Sequence, residues 1–317
     1  MKIVLLIPVF DDWESATLLC DLIDSTFQQH GSYRASILFV DDGSVTSAVL
    51  AAKPTWKAIQ EIQVLHLRRN LGHQRAIAVG LAYVEHHKPC DVVVVMDSDG
   101  EDLPQDIPAL LGRAADTPGR VVFAERGRRV EGRVFRSMYL VYRAYHRLLT
   151  GRGIRFGNFS VVPFRVIKRL TSMSELWGHY AATVVNAKIP YVTMRVDRGP
   201  RLLGRSKMDL ESLIMHGLSA VAVYQTASVR ALMACAVLSG FLALAVLALA
   251  VIRFATALTI PNWTTAMLGG GLIVIFLITF GSMLYVFASL SFRHLMGMLP
   301  TRDYIYFVDR CDQIYPE

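Results

Sequence analysis

Short β-branched runs alternate with longer stretches of helical apolar spacing along the N-terminal two thirds of this chain. Residues 3–9 (Ile-Val-Leu-Leu-Ile-Pro-Val), 36–40 (Ser-Ile-Leu-Phe-Val), 62–67, 91–96 and 121–124 read as strands, and 14–29 and 74–86 as helices. Strands that are apolar at consecutive positions are covered on both faces, and their alternation with helices predicts parallel βαβ units of an α/β fold. In such sheets ligands bind beyond the carboxyl ends of the strands.

Toward the C-terminus the pattern changes. Ala231–Ile252 is a run of 22 residues without a charge, ended by Arg253, and Trp263–Phe292 is a second run of 30. At about 1.5 Å per residue, either run is long enough for a hydrocarbon core of about 30 Å. They predict two transmembrane helices. Met1–Phe10 is apolar but short and is followed at once by Asp11-Asp12, so it reads as a first strand rather than a signal peptide. The expected location is therefore the inner (plasma) membrane, multi-pass, with the catalytic domain cytoplasmic. Arg205, Lys207 and Arg230 before the first run, and Arg293, His294 and Arg302 after the second, agree with positive residues on the inner side. Gly269-Gly270-Gly271 inside the second run would let two helices approach closely, a route to a homo-oligomer.

Composition narrows the chemistry. The 317 residues carry 33 Lys+Arg against 26 Asp+Glu, a formal net charge of +7, which suits an anionic partner such as membrane lipids or a nucleotide. No nucleic-acid-binding motif accompanies that charge. The 4 cysteines, Cys20, Cys90, Cys235 and Cys311, are scattered with no Cys-x-x-Cys pair, which argues against structural zinc and a disulfide framework. Neither apolar run carries a charge to line a transport pathway.

Two strands break into acid. Residues 36–40 lead into Asp41-Asp42-Gly43-Ser44, and Val92–Val95 lead through Met96 into Asp97-Ser98-Asp99-Gly100-Glu101-Asp102-Leu103-Pro104. Asp-x-Asp at a strand end supplies hard oxygen ligands for Mg²⁺ or Mn²⁺, with a substrate phosphate completing the shell. Both acidic pairs sit at strand ends that face one crevice. Arg126, Arg128, Arg129, Arg133 and Arg136 form a basic stretch. Residues 138–149 and 208–227 have the mixed apolar, aromatic and basic make-up of helices lying in a membrane interface. His66, His73 and His179 have no metal-ligand spacing and read as structural.

The ordered set of Pro8-Val9, Asp41-Asp42-Gly43-Ser44, Arg69-Asn70-Leu71-Gly72 with Ala76 and Gly80-Leu81, and Asp97–Pro104 resembles family-2 glycosyltransferases with a GT-A fold. More narrowly it resembles the polyprenyl-phosphate glycosyltransferases, the group of dolichol-phosphate mannose synthase and undecaprenyl-phosphate sugar transferases. Where that group reads Asp-x-Asp-Leu-Gln-Asp-Pro-Pro, this chain has Gly100, Glu101 and Leu103 in place of Leu, Gln and the first Pro. The resemblance implies a GT-A-type mostly parallel sheet flanked by helices over 1–207. An interfacial amphipathic helix over 208–228, a transmembrane hairpin over 229–293 and a cytoplasmic tail over 294–317 would follow.

The resemblance also implies roles. Pro8, Asp41, Asp42, Asn70 and Gly72 would bind the nucleotide-sugar, with Asp41 and Asp42 on its base or ribose. Asp97, Asp99 and Glu101 would hold Mg²⁺ or Mn²⁺ on the diphosphate. Arg201, Arg205, Ser206 and Lys207 belong to a late motif that binds donor phosphate, and Arg126 and Arg136 fall where the acceptor phosphate is bound. Gly157-Asn158-Phe159-Ser160 matches a short substrate-site motif. Glu175 lies where members acting on a hydroxyl keep a catalytic base. The implied reaction is inverting transfer of a sugar from a nucleotide-sugar to a polyprenyl phosphate. Two alternatives stay open: the same fold acting on a hydroxyl of a lipid or glycan, and a non-catalytic nucleotide-sugar-binding membrane scaffold.

Overall fold

The computed structural model describes residues 1–31, 33–46, 56–126, 156–203, 237, 239–245, 247–248, 251, 262–295 and 297–316. They fall into two compact units. The first comprises Met1–Glu131, Ile154–Val223 and Gly297–Glu317, and the second Gly132–Gly153 and Tyr224–Met296.

The first unit is built on an eight-stranded sheet. Its strands are β1 (Ile3–Val9), β2 (Ala35–Asp41), β3 (Ile59–Leu67), β4 (Val92–Val95), β5 (Val121–Arg126), β6 (Phe156–Pro163), β7 (Tyr191–Val196) and β8 (Val308–Tyr315). The order is β7-β5-β6-β4-β1-β2-β3-β8. Pairs β1–β2, β1–β4, β2–β3 and β5–β7 are parallel, whereas β4–β6, β5–β6 and β3–β8 are antiparallel. The mostly parallel α/β sheet expected from the sequence is present, and each of its five expected strands lies on an observed one.

Helices cover both faces, which is why the central strands have no polar alternation. β1 and β4 are buried at every position. On one face Ile3, Leu5, Ile7 and Val9 of β1 join Leu19, Cys20 and Ile23 of α1 (Trp13–Gln29) and Ile107, Leu110 and Leu111 of α3 (Ile107–Asp116) in a single core. The opposite face receives α2 (His73–His87). A Cβ placed on Gly80 of α2 would lie 2.7 Å from Leu6 Cδ1 and 2.8 Å from Val40 Cγ2. The missing side chain therefore lets α2 lie close on β1 and β2. Helices α4 (Phe164–Thr171) and α5 (Tyr180–Asn186) follow.

The stretch expected to be a tail is instead part of the sheet. Residues 297–316 form α7 (Pro300–Asp303), a 3-10 turn at Tyr304–Tyr306, and β8. β8 pairs antiparallel with β3, Tyr315 Oη donates to the Trp56 carbonyl at 3.0 Å, and Trp177 Nε1 donates to the Met298 carbonyl at 3.0 Å. β8 is half-exposed without regular alternation and too polar to read as a strand, because an edge strand is covered only in part. Strands β6 and β7 and helix α3 also went unread in the sequence.

In the second unit, α6 (Asn262–Leu295) covers the second apolar run. Its side chains are described over 268–282, 284 and 285. Residues 239–245 are helical, and Ser239 Oγ lies 3.0 Å from Thr279 Oγ1 of α6. Large apolar side chains here are exposed, among them Phe241 at 67%, Leu244 at 63%, Ile273 at 63% and Phe276 at 65%. Among the described residues no helix is long and apolar enough to cross a membrane. Gly269, Gly270 and Gly271 have open space where a Cβ would stand. The interfacial stretches 138–149 and 208–228 lie outside the described residues.

The close seating of α2 gives a direct test. Gly80→Val overpacks the α2–sheet contact and should cost about 1–3 kcal/mol. The expected readout is a lower unfolding midpoint of the detergent-purified chain; an unchanged midpoint would contradict the packing.

Candidate active site

Parallel strands deliver their last residues to one rim of the sheet. β1 ends at Val9, β2 at Asp41 and β3 at Leu67, while β4 runs into Met96 and Asp97. Register pairs Val9 with Asp41 and Asp41 with His66, so these ends are level. Asp42 N donates to the Val9 carbonyl at 2.9 Å, and Met96 N to the Leu6 carbonyl at 3.2 Å. The backbone is thus held beyond the last strand residues on both sides of β1.

The two aspartates after β2 do different things. Asp42 is buried, and its Oδ1 accepts from Leu71 N at 2.7 Å and its Oδ2 from Gly72 N at 2.8 Å. It clamps the Arg69–Gly72 loop that leads into α2. Burial raises its pKa above the usual carboxylate range, against the two N–H bonds and the nearby His73. Asp41 faces the other way. Its Oδ1 accepts from Ser44 N at 2.9 Å, and its Oδ2 lies 2.8 Å from His66 Nδ1. Gly43, which follows them, needs its positive φ of 74°, and a Cβ there would sit 2.6 Å from Asn70 N. The Asp-Asp-Gly-Ser and Arg-Asn-Leu-Gly motifs are therefore two halves of one loop pair. Asp11, to which the sequence gives no site role, braces it from a third side: its Oδ1 accepts from Val45 N at 2.9 Å and Thr46 N at 3.0 Å. Pro8 is buried within β1, opposite Val40.

The turn after β4 presents Asp97 and Asp99, 26% and 15% exposed at their side chains. Asp102 is buried, and its Oδ2 accepts from Asp97 N at 3.1 Å, fixing the turn from within. Gly100 has φ 79°, and a Cβ on it would run into Leu202. Residues 198–202 lie along this turn: Gly199 N donates to the Glu101 carbonyl at 3.0 Å and Leu202 N to the Asp99 carbonyl at 2.9 Å. Charge pairs follow the backbone. Arg198 engages Glu101, and Arg201 Nη2 stands 3.6 Å from both Asp99 Oδ2 and Asp12 Oδ2. Arg201 thus stands beside the Asp-x-Asp turn. Glu101, expected beside Asp97 and Asp99 as a third cation ligand, is held by Arg198 instead.

His73, read from the sequence as structural, belongs to the site. It opens α2, with Nε2 3.1 Å from Asp97 Oδ1 and 3.0 Å from Asn158 Nδ2. A protonated Nε2 donates to Asp97; an unprotonated one accepts from Asn158. Burial pulls the His73 pKa down, but the charge and hydrogen bond of Asp97, with Asp42 and Asp102, outweigh it and hold the pKa above the usual value. Asn158, in the Gly-Asn-Phe-Ser motif on β6, also accepts from Gln74 Nε2 at 3.1 Å. Ser160 Oγ lies 2.8 Å from Tyr180 Oη, so the motif forms a buried polar floor behind Asp97. Only the His73–Asp97 juxtaposition makes that motif intelligible, and no spacing in the sequence signals it.

Glu175 lies in the 3-10 turn Ser174–Trp177 before α5, and Ser174 Oγ donates to its Oε2 at 3.4 Å. Arg126 ends β5, but its side chain is outside the described residues, as are Arg136, Arg205, Ser206 and Lys207.

Among the described residues no group of three or more His, Cys, Asp and Glu forms a cation cage. Mg²⁺ and Mn²⁺ held on a nucleotide need less, one or two carboxylates and the phosphates themselves. Asp97 and Asp99, part-exposed, two residues apart and compensated by His73 and Arg201, fit that donor set.

Three comparisons bear on this site. The family model described as Glycosyl transferase family 2 matches residues 4–171. An undecaprenyl-phosphate 4-deoxy-4-formamido-L-arabinose transferase of Salmonella paratyphi B is 32% identical over 114 residues, 36% of this chain and 33% of that protein. Its counterpart in Salmonella newport gives the same figures. The chain spans about a third of the length of these curated relatives. Among solved structures, glucosyl-3-phosphoglycerate synthase from Mycobacterium tuberculosis, crystallised with Mn²⁺, UDP-glucose and phosphoglyceric acid, superposes with a TM-score of 0.50. It is 17% identical, covering 71% of this chain and 79% of that one. That likeness is one of fold.

The clamp on the Arg69–Gly72 loop is testable without any ligand. Asp42→Asn keeps the shape but accepts only through one oxygen, so one backbone N–H loses its partner. The expected cost is about 1–3 kcal/mol, with faster hydrogen exchange at Leu71 and Gly72; unchanged exchange there would contradict the assignment.

Proposed function

We infer the reaction from one premise: the chain belongs to glycosyl transferase family 2 and is a glycosyltransferase. We propose that it moves a sugar from a nucleotide-sugar, UDP- or GDP-linked, onto a polyprenyl phosphate, with inversion, at the cytoplasmic face of the inner membrane. The observation that carries this reading is the convergence of Asp41, Asp97, Asp99 and Arg201 at one rim of the sheet.

Each group has a chemical task. Asp41 keeps a spare lone pair on each oxygen, which suits the N–H or hydroxyl donors of a base or ribose. Asp97 and Asp99 would hold Mg²⁺ or Mn²⁺, which, when bound, supplies positive charge to the leaving diphosphate. Arg201 binds diphosphate oxygens through its guanidinium fork; its loose 3.6 Å pairs with Asp12 and Asp99 leave it available to an incoming anion. A lipid-phosphate oxygen attacks the anomeric carbon as the bond from that carbon to the nucleoside diphosphate breaks. The acceptor is already anionic and needs no base, so Glu175 has no proton to take. Arg126, Arg136, Arg205, Ser206 and Lys207 are the proposed further phosphate contacts.

The lipid acceptor draws support from the names of the Salmonella relatives and from the apolar surface of the second unit. Side chains such as Phe241, Leu244, Ile273 and Phe276 are exposed to a degree that costs free energy in water and none in hydrocarbon. A Ser239–Thr279 hydrogen bond between helices is of the kind that joins helices in a bilayer.

The test is transfer by the detergent-purified chain with undecaprenyl phosphate, Mn²⁺ or Mg²⁺ and a panel of UDP-, GDP- and dTDP-sugars, read as glycolipid mass. A metal-dependent glycosyl-phosphate lipid is expected, and Asp99→Ala should lose about a hundredfold or more of the rate while its melting point stays put. Nucleotide release with sugar appearing only on a hydroxyl, and a large loss in Glu175→Gln, would overturn the phosphate acceptor.

A further inference from the structure

The C-terminal strand reaches the nucleotide side of the site through one histidine. His66, on β3, is 12% exposed at its side chain and lies between two carboxylates from different strands. Its Nδ1 is 2.8 Å from Asp41 Oδ2, and its Nε2 is 3.3 Å from Asp312 Oδ2 on β8. Asp312 Oδ2 also accepts from Arg310 Nε at 2.9 Å. Asp41 is held at its other oxygen by Ser44 N. The result is a row running Ser44, Asp41, His66, Asp312, Arg310 across three neighbouring strands.

The chemistry of the row is directional. An imidazolium donates to both carboxylates at once, whereas a neutral ring serves only one of them. Carboxylates at both nitrogens fix the ring plane, and it is a ring carrying its proton on Nδ1 that donates to Asp41. This is the second-layer arrangement that holds working histidines and carboxylates in place. Asp41 then presents its two remaining lone pairs in fixed directions, one from each oxygen. Without Asp312 the ring could turn, and without His66 the carboxylate could rotate about its Cβ–Cγ bond. Asp312 lies beyond residues 4–171, so the family match does not reach it.

We propose that His66 and Asp312 are positioning residues for the nucleoside part of the donor. Asp312 locks His66, His66 orients Asp41, and the chain segment following the apolar runs thereby helps to build the donor site. This rests on Asp41 contacting the base or ribose.

The test uses the full chain in detergent, titrated by calorimetry with UDP, GDP, dTDP and CDP in MnCl₂, followed by donor kinetics with the nucleotide-sugar of the one that binds. Asp312→Asn should weaken nucleotide affinity and raise donor KM about three- to tenfold, the effect of roughly one hydrogen bond. Acceptor KM and kcat should stay within about twofold, since Asp312 touches neither reacting group. His66→Gln should act in the same direction. The double variant should be no worse than His66→Gln alone, because Asp312 works only through the ring. Asp312→Glu should recover part of the loss, and Gln313→Ala, on the same strand and outside the row, should change nothing. If Asp41→Asn raises donor KM while Asp312→Asn does not, or if the two losses simply add, the positioning role is wrong and the reading of Asp41 stands. If Asp41→Asn leaves donor KM unchanged, or no nucleotide binds the wild-type chain, the reading of Asp41 itself is wrong.

Discussion

Carboxylates gathered at the ends of parallel strands must be compensated, and that constraint shapes the rest of this molecule. Parallel strands covered on both faces point their carbonyl ends, and whatever follows them, at one rim. Here that rim collects Asp41, Asp42, Asp97 and Asp99, charges that would repel one another if left alone. Each finds a different partner. Asp42 takes two backbone N–H groups, Asp97 takes His73, Asp99 takes Arg201, and Asp41 takes His66. The neighbouring Glu101 takes Arg198. The first solution is permanent, since a buried carboxylate bonded to the backbone cannot let go without unfolding the loop. The pair made by Arg201 is long, part-exposed and exchangeable.

That division separates scaffold from site. Asp42, Asp11 and Asp102 hold the turns, and Asp41, Asp97 and Asp99 are what the turns present. In Asp-Asp-Gly-Ser, Asp42 thus serves shape, and Asp41 is the residue to which the proposed donor contact falls. Substituting Asp42 would loosen the loop it clamps, whereas substituting Asp41 would weaken the proposed donor contact. The strap at 198–202 adds a layer. It is fastened to the Asp-x-Asp turn by backbone bonds and by Arg198 on Glu101, so its arginines stand ready above the carboxylates. The Arg198–Glu101 pair makes that fastening ionic.

The parts legible in the sequence were those in which a single period or a single chemistry dominates. Val92–Val95 reads as a buried strand because nothing but burial explains four valines, and the acids that follow read as a ligand set because strand ends are where ligands go. β8 was illegible for the opposite reason: an edge strand with residues such as Asp309, Arg310 and Asp312 carries no alternation strong enough to separate it from a tail. Pairings across sequence were illegible too. His66 and Asp312, or His73, Asn158 and Asp97, meet only because the sheet order places their strands and α2 side by side. Glu101 is a third ligand only by resemblance, and the approach of Arg198 reveals its other partner.

The central claim is that the rim is a compensated acidic site awaiting a nucleotide diphosphate and a divalent cation together. Calorimetric titration of the purified chain with a nucleoside diphosphate, once with Mn²⁺ and once with EDTA, tests it most directly. Binding should be tenfold or more tighter with Mn²⁺, corresponding to about 1.4 kcal/mol or more of coupling between the two ligands. Equal affinity in EDTA would contradict it, leaving the arginines alone to hold the diphosphate and Asp97 and Asp99 without the role assigned to them.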